Sequence, residues 1–202
     1  MVSRGAFIVV EGLDRSGKST QVRRLAEYLE GEGIKVAKIG FPDRSTAVGA
    51  LIEKYLQEEE ELDDAAVHLL FSANRWEAVE GLKKRLAAGE TVVCDRYAFS
   101  GVAYGCAKGQ SVEWCKNADR GLPAPDAVLY LDVKADVAGK RGGYGEERYE
   151  KEAFQSKVRT VFEEMWREDE GMWHVIDASM SEEDVACQVC MSLFVCCAYL
   201  SV

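Results

Sequence analysis

Five short apolar runs punctuate the chain, and amphipathic stretches fill most of the intervals between them. The runs are Ala6–Glu11, Val36–Gly40, Thr91–Asp95, Ala127–Asp132 and Trp173–Asp177, each of strand length. After the first, Val22, Leu25, Ala26 and Leu29 recur at i, i+3, i+4 and i+7, which marks one face of a helix. Asp63 to Ala88 reads as one long helix and Tyr149 to Glu168 as another. Ser181-x-x-Asp184 reads as a capping box opening the last. Near-continuous apolar strands separated by helices predict a parallel sheet covered on both faces. The expected fold is α/β, a three-layer doubly wound sheet of five parallel strands, with ligands bound beyond the strands' carboxyl ends. No repeat or low-complexity linker interrupts it, so residues 1–202 are expected to form one domain.

Charge narrows the partners. With 25 Lys and Arg against 35 Asp and Glu, the formal net charge is −10, a poor match to a nucleic-acid backbone. A few arginines focused in one cleft can still set a positive local potential for a small phosphorylated ligand. The first apolar run is too short for a signal-peptide core or a membrane span, and polar residues break up the apolar tail from Val185 to Val202. These features point away from membranes and to a cytoplasmic location, with some nuclear presence left open. Of seven cysteines, Cys187-x-x-Cys190 has spacing seen in zinc and redox sites, but His68 and His174 are isolated and supply no further ligands. The cysteines are read as small apolar side chains packed on a terminal helix. The run Glu58–Glu61 is read as a solvated connection.

Chemistry enters at Gly12-Leu13-Asp14-Arg15-Ser16-Gly17-Lys18-Ser19, a full G-x-x-x-x-G-K-[ST] phosphate-binding loop. It follows a strand and opens a helix, as the physics requires. Its glycines let successive N–H groups face phosphate oxygens, and the helix adds its positive end. Lys18 would reach the β and γ phosphates of ATP, and the Ser19 hydroxyl could ligand Mg²⁺. Arg15 could act as an arginine finger supplied in cis, or lie on the surface. Asp14 needs a hydroxyl or a cation beside it to be tolerated near phosphates.

The third run ends in Asp95-Arg96-Tyr97. An acidic group there can hold Mg²⁺ or its waters, and Arg96 can bridge donor and acceptor phosphates. Arg44 follows the second run through Phe41-Pro42-Asp43 and could clamp an acceptor phosphate; the Phe41–Pro42 bond is a candidate cis peptide. Phe71 and Arg75, four residues apart, share a helix face. They could stack on and hydrogen-bond a base, although such a pair is commonly core plus surface charge. Lys140–Tyr149, with three glycines among charges, suits a lid over a nucleotide.

Taken together, Glu11–Gln21, Phe41–Thr46, Leu69–Glu77, Asp95–Tyr104, Gly121-Leu122-Pro123, Pro125-Asp126 and Arg148-Tyr149-Glu150 resemble the thymidylate kinases of the eukaryotic and poxvirus type over nearly the whole chain. The resemblance implies transfer of the ATP γ-phosphoryl group to dTMP, with Mg²⁺, and a homodimer packed through helices. It implies that ATP is bound by Gly12, Arg15, Ser16, Gly17, Lys18, Ser19, Thr20 and Arg141, the last packing on adenine, under a lid at about 138–149. For dTMP it implies Phe71 and Arg75 on the base, Ser100, Gly101 and Tyr104 along base and sugar, and Asp14 and Tyr149 at the sugar. Phe41 would flank them, and Arg44 and Arg96 would hold the phosphate. Arg15, Lys18, Asp95 and Arg96 are the expected catalytic set, with Arg148 left open. The cysteine-rich tail departs most from the family. A kinase for another deoxynucleotide or a deoxynucleoside, and a non-catalytic nucleotide-binding module, are the alternatives.

Overall fold

The sheet order is β2-β3-β1-β4-β5, and every pairing is parallel. The strands are β1 (Phe7–Gly12), β2 (Val36–Gly40), β3 (Thr91–Asp95), β4 (Ala127–Asp132) and β5 (Trp173–Asp177). Four match the sequence reading residue for residue, and the first is displaced by one. The computed structural model describes residues 4–141, 145, 147–169 and 171–200, the last seven by backbone alone. Gly142, Gly143, Tyr144 and Glu146 of the expected lid, and the side chains of Cys196 and Cys197, lie outside the described residues.

Alternation along the central strands sorts their side chains into two cores. Ile8 and Val10 of β1, with Leu129 and Leu131 of β4, pack against Val22 and Leu25 of helix α1 (Lys18–Gly31) and Val185 and Val189 of helix α9 (Glu182–Leu200). Phe7 and Val9 face the other way, toward Leu82 and Leu86, while Val128 and Tyr130 meet Val158 and Phe162. All eight strand residues are buried, each strand side chain contributing on the order of 1.5–3 kcal/mol of burial. This two-sided burial is why the strands read as continuous apolar runs.

The remaining helices are α2 (Ala47–Leu56), α3 (Asp64–Glu77), α4 (Val79–Ala87), α5 (Ala98–Ala107), α6 (Val112–Ala118), α7 (Ala135–Ala138) and α8 (Glu152–Glu168). The expected helix over 63–88 is two helices meeting at Ala78, whose N–H bonds Arg75 O in a tight i−3 turn. The physical reason is a change of neighbour. The α3 helix packs against α2 and α5, whereas α4 lies on β3. The helix expected from Tyr149 starts at Glu152 instead, because Tyr149 and Glu150 turn into the cleft described below. At the last helix Ser181 Oγ accepts from Asp184 N–H at 3.1 Å, as a capping serine does.

The chain leaves β1 toward β2 and β3, then builds β4 and β5 on the opposite side. That reversal opens a crevice at the carboxyl ends of the strands. Among the described residues, no helix is long and apolar enough to cross a membrane.

Candidate active site

One cleft of about 1060 Å³ lies along those strand ends, and every candidate residue named above except Gly12 and Arg148 lines it. Gly12 sits beneath: a Cβ there would lie 2.7 Å from Ser16 Oγ and 2.8 Å from Leu131 O, and its φ is +149°. Only a glycine lets the loop pass so close to β4.

The phosphate-loop end is built on α1. Gly17 caps that helix in the left-handed region with no side-chain cap bond, and the first turn holds no acidic residue. The leading N–H groups are therefore presented to an anion rather than consumed by the protein. Lys18 is buried, with Nζ donating to Leu13 O at 2.5 Å and standing 3.3 Å from Ser16 Oγ. Burial, then the Arg96 charge, pushes its amine down to about 8, against the pull of Asp95, Asp14 and Glu11. Ser19 Oγ donates to Asp95 Oδ2 at 2.6 Å, which brings the two candidate metal donors together.

Arg96 follows β3 at φ 65°, in the left-handed region uncommon for non-glycine residues. The turn carries its guanidinium back over the loop, where Nη1 donates to Gly12 O at 3.1 Å and Nη2 pairs with Asp14. Asp14 thus faces a cation, the condition its sequence position demanded. Burial works against the Arg96 charge, but Tyr104, Asp14, Asp95 and Glu11 more than offset it and raise its pKa. Arg15, at φ 59°, donates from Nε to Glu150 Oε1 at 2.7 Å.

The opposite end is walled by rings and arginines. Tyr104 and Tyr149 pack with centroids 5.4 Å apart, and burial raises both phenol pKa values. Phe71 and Arg75 both reach this wall, so the pair is neither plain core nor surface charge. The Phe41–Pro42 peptide is cis, and Phe41 packs on Tyr97 at 5.8 Å while bordering the cleft. Arg44 pairs with Glu53 and, at 2.8 Å, with Glu147. Its loop is pinned from α3, where Asn74 accepts from Asp43 N–H at 2.7 Å and donates to Asp43 O at 3.1 Å. At the far end Arg141 donates to Arg15 O at 2.8 Å and Ala178 O at 2.6 Å, beside Met180 and Val185.

Arg148 lies elsewhere. Its guanidinium sits 4.2 Å from the Tyr55 ring centroid and pairs with Glu61 at 2.8 Å, off the cleft wall. Ser100, expected along the base and sugar, spends its hydroxyl on Glu11 Oε2 at 2.6 Å.

Sequence reasoning gave no role to Glu11, Asp119, Glu150 or Gln155. Glu11 is fully buried and accepts from Tyr97 N–H, Ser100 N–H and Ser100 O–H. Gln155 accepts from Asp14 N–H at 3.0 Å and donates to Asp14 Oδ2 at 2.6 Å. A buried carboxylate at the end of an apolar strand is a signal that could have flagged Glu11; nothing local marks the other three.

Among the described residues, no cluster of three or more His, Cys, Asp or Glu is placed to hold a metal. His68 is buried, bonded through Nε2 to Cys115 O at 3.2 Å, and borders the cleft. Cys187 is exposed and Cys190 is half-buried against the first core.

A phosphate loop after the first strand of a 2-3-1-4-5 parallel sheet, facing the arginine-lined far end of the same cleft, defines a P-loop nucleoside monophosphate kinase. Comparison with known proteins narrows the class. The family profile described as thymidylate kinase matches residues 10–189. A thymidylate kinase of Schizosaccharomyces pombe is 50% identical over 190 residues, covering 93% of this chain and 90% of that protein. The human thymidylate kinase is 49% identical over 183 residues, covering 90% and 86%. The solved thymidylate kinase of Candida albicans superposes with a TM-score of 0.87 at 38% identity, over 95% of this chain and 92% of that one. The chain belongs to the thymidylate kinase family.

Proposed function

We propose that this chain carries out its family's reaction, ATP + dTMP → ADP + dTDP, by direct in-line transfer within the cleft. One observation carries the residue assignment: a single continuous cavity joins the open α1 N-terminus to the Phe71–Arg75 wall, with Arg96 between them. Two phosphorylated molecules entering from the two ends would meet at Arg96. Holding mutually repelling anions in line is most of the work of phosphoryl transfer.

In this reading the N–H groups from Gly17 to Thr20 and the Lys18 ammonium cradle the β and γ phosphates of ATP. Arg141, Ala178 and Met180 border its adenine. Arg44 and Arg96 hold the dTMP phosphate, Asp14 and Tyr149 approach its sugar, and Tyr104 crowds the 2′ position. Phe71 stacks on thymine while Arg75 donates to a carbonyl of its edge. The Glu147 and Glu150 carboxylates, paired with Arg44 and Arg15, yield those cations to the incoming phosphates. Glu147 lies within the lid proposed at about 138–149 and Glu150 directly follows it, so closure and substrate arrival are one event. Ser19 Oγ and Asp95 are hard oxygen donors 2.6 Å apart, a pairing that suits Mg²⁺ directly or through water. When bound with ATP, Mg²⁺ would neutralise charge between the β and γ phosphates. The acceptor is already an anion, so no protein base is required. Pairing of two chains through helices belongs to the same proposal; the exposed Leu69 and Trp76 on α3 offer an apolar face for it.

Initial rates of ADP release with dTMP, dUMP, ribose TMP, dCMP and thymidine test the assignment. Fast turnover is expected with dTMP, slower with dUMP, and little with the ribose form or thymidine. Thymidine turning over as fast as dTMP would refute the Arg44 and Arg96 clamp.

A further inference from the structure

We propose that Asp119 is a positioning residue for base selection, acting by fixing the plane of the Arg75 guanidinium. The inference rests on the reading that Arg75 meets the acceptor base. Asp119 caps the C-terminus of α6 and does not itself line the cleft. Its Oδ1 accepts from Arg75 Nε at 3.1 Å and its Oδ2 from Arg75 Nη2 at 2.6 Å, a two-pronged contact across 44 residues of sequence. The Ser72 hydroxyl, one helical turn from Arg75, donates to the same Oδ1 at 2.8 Å. On the other side stands Gly101 of α5, where a Cβ would come within 2.7 Å of Nη2. The guanidinium therefore lies in a slot between α5 and α6, with its side chain only 2% exposed and that of Asp119 5%.

Such burial is tolerable only with a partner for the charge. Its geometric consequence is selectivity. Asp119 takes the Nε–H and one Nη2–H, so what Arg75 can offer the cleft is a fixed set of donors and no acceptor. A carbonyl at that edge of the base, as in thymine, is held; an exocyclic amino group, as in cytosine, meets donor against donor. A guanidinium able to turn could follow other acceptors on the cytosine ring, and the discrimination would fall. Asp119 thus contributes to specificity without touching substrate.

The test is a double-mutant cycle of Asp119→Asn and Arg75→Met, read by the KM for dTMP, the KM for ATP, the dCMP-to-dTMP ratio of kcat/KM and the melting temperature. Asp119→Asn is expected to raise the KM for dTMP about tenfold or more and the dCMP ratio by a similar factor, with the KM for ATP nearly unchanged. In the Arg75→Met background the same change should do nothing further, because the group it positions is gone. Should Asp119→Asn fold poorly, Ser72→Ala carries the same test with a smaller shift in the same direction. Unchanged selectivity in the Asp119 variant beside an impaired Arg75→Met would overturn the inference. So would KM values for ATP and dTMP that rise together with a loss of melting temperature, the mark of a packing role. If Arg75→Met itself leaves dTMP binding intact, the assignment of Arg75 to the base is what fails, and the inference falls with it.

Discussion

Arg15→Ala is expected to lower kcat by at least about a hundredfold while leaving the KM for ATP nearly unchanged. Ground-state binding of ATP rests on groups the substitution leaves alone: the uncapped α1 N-terminus, Lys18 and the wall beside Arg141. Arg15 stands at the mouth of the loop in the left-handed region, a conformation that costs free energy and persists where surrounding structure imposes it. In the proposed reading its guanidinium, paired with Glu150 at 2.7 Å, is released and meets charge that develops as the phosphoryl group moves. An interaction made only in the transition state appears in kcat and not in KM. Folding should survive the change, because Gly145 N–H and Glu147 N–H still donate to Glu150 Oε2, at 2.8 and 3.3 Å. Steady-state kinetics beside a melting curve make the check. A near-wild-type kcat would remove Arg15 from the catalytic set and turn attention back to Arg96 and the lid.

The second large effect is on stability. Glu11→Ala is expected to cost about 3–5 kcal/mol, because three buried donors lose their acceptor at about 1–3 kcal/mol each, partly offset by relaxation. In a chain of this length that is a fall in melting temperature on the order of 10 °C. Three donors converge on the carboxylate: Tyr97 N–H at 2.9 Å, Ser100 N–H at 3.1 Å and Ser100 O–H at 2.6 Å. It therefore ties the end of β1 to the first turn of α5, where a negative group is favoured by the helix dipole. Burial pushes the Glu11 pKa up, while the Ser100 hydroxyl, the Arg96 charge and the two backbone N–H groups pull against it. Removing the side chain strands those donors in a dry interior and leaves a void. Because α5 carries Ser100, Gly101 and Tyr104, the KM for dTMP should rise more than that for ATP. Calorimetry showing an unchanged melting temperature would mean that α5 is anchored by its apolar contacts alone.

The strands and the phosphate loop were legible because each is encoded locally. Two-sided burial writes a parallel strand as a run such as Ala127–Asp132, and a phosphate loop must be contiguous for its N–H groups to converge. The candidate cleft residues were legible in the same way, as motifs at strand ends or on one helix face. What sequence did not reveal depends on contacts across long separations. Asp119 meets Arg75, Gln155 meets Asp14 and Glu150 meets Arg15 through folding alone, and no spacing rule links the partners. The break at Ala78 escaped for a related reason. Helical periodicity runs through it, and only the shift of neighbours from α2 and α5 to β3 bends the chain there. Ser100 shows the limit of a motif: it lines the cleft, yet its hydroxyl serves Glu11.

Direct transfer between the two ends of one cleft is tested most directly by following the phosphorus itself. The protein would be mixed with ATP labelled at the γ-phosphate, Mg²⁺ and dTMP, and the products separated as they form. Label appearing in the β-phosphate of dTDP, in step with ADP, is the expected result. Label appearing in inorganic phosphate while dTMP remains unchanged would contradict it, because the cleft would then be delivering the phosphoryl group to water.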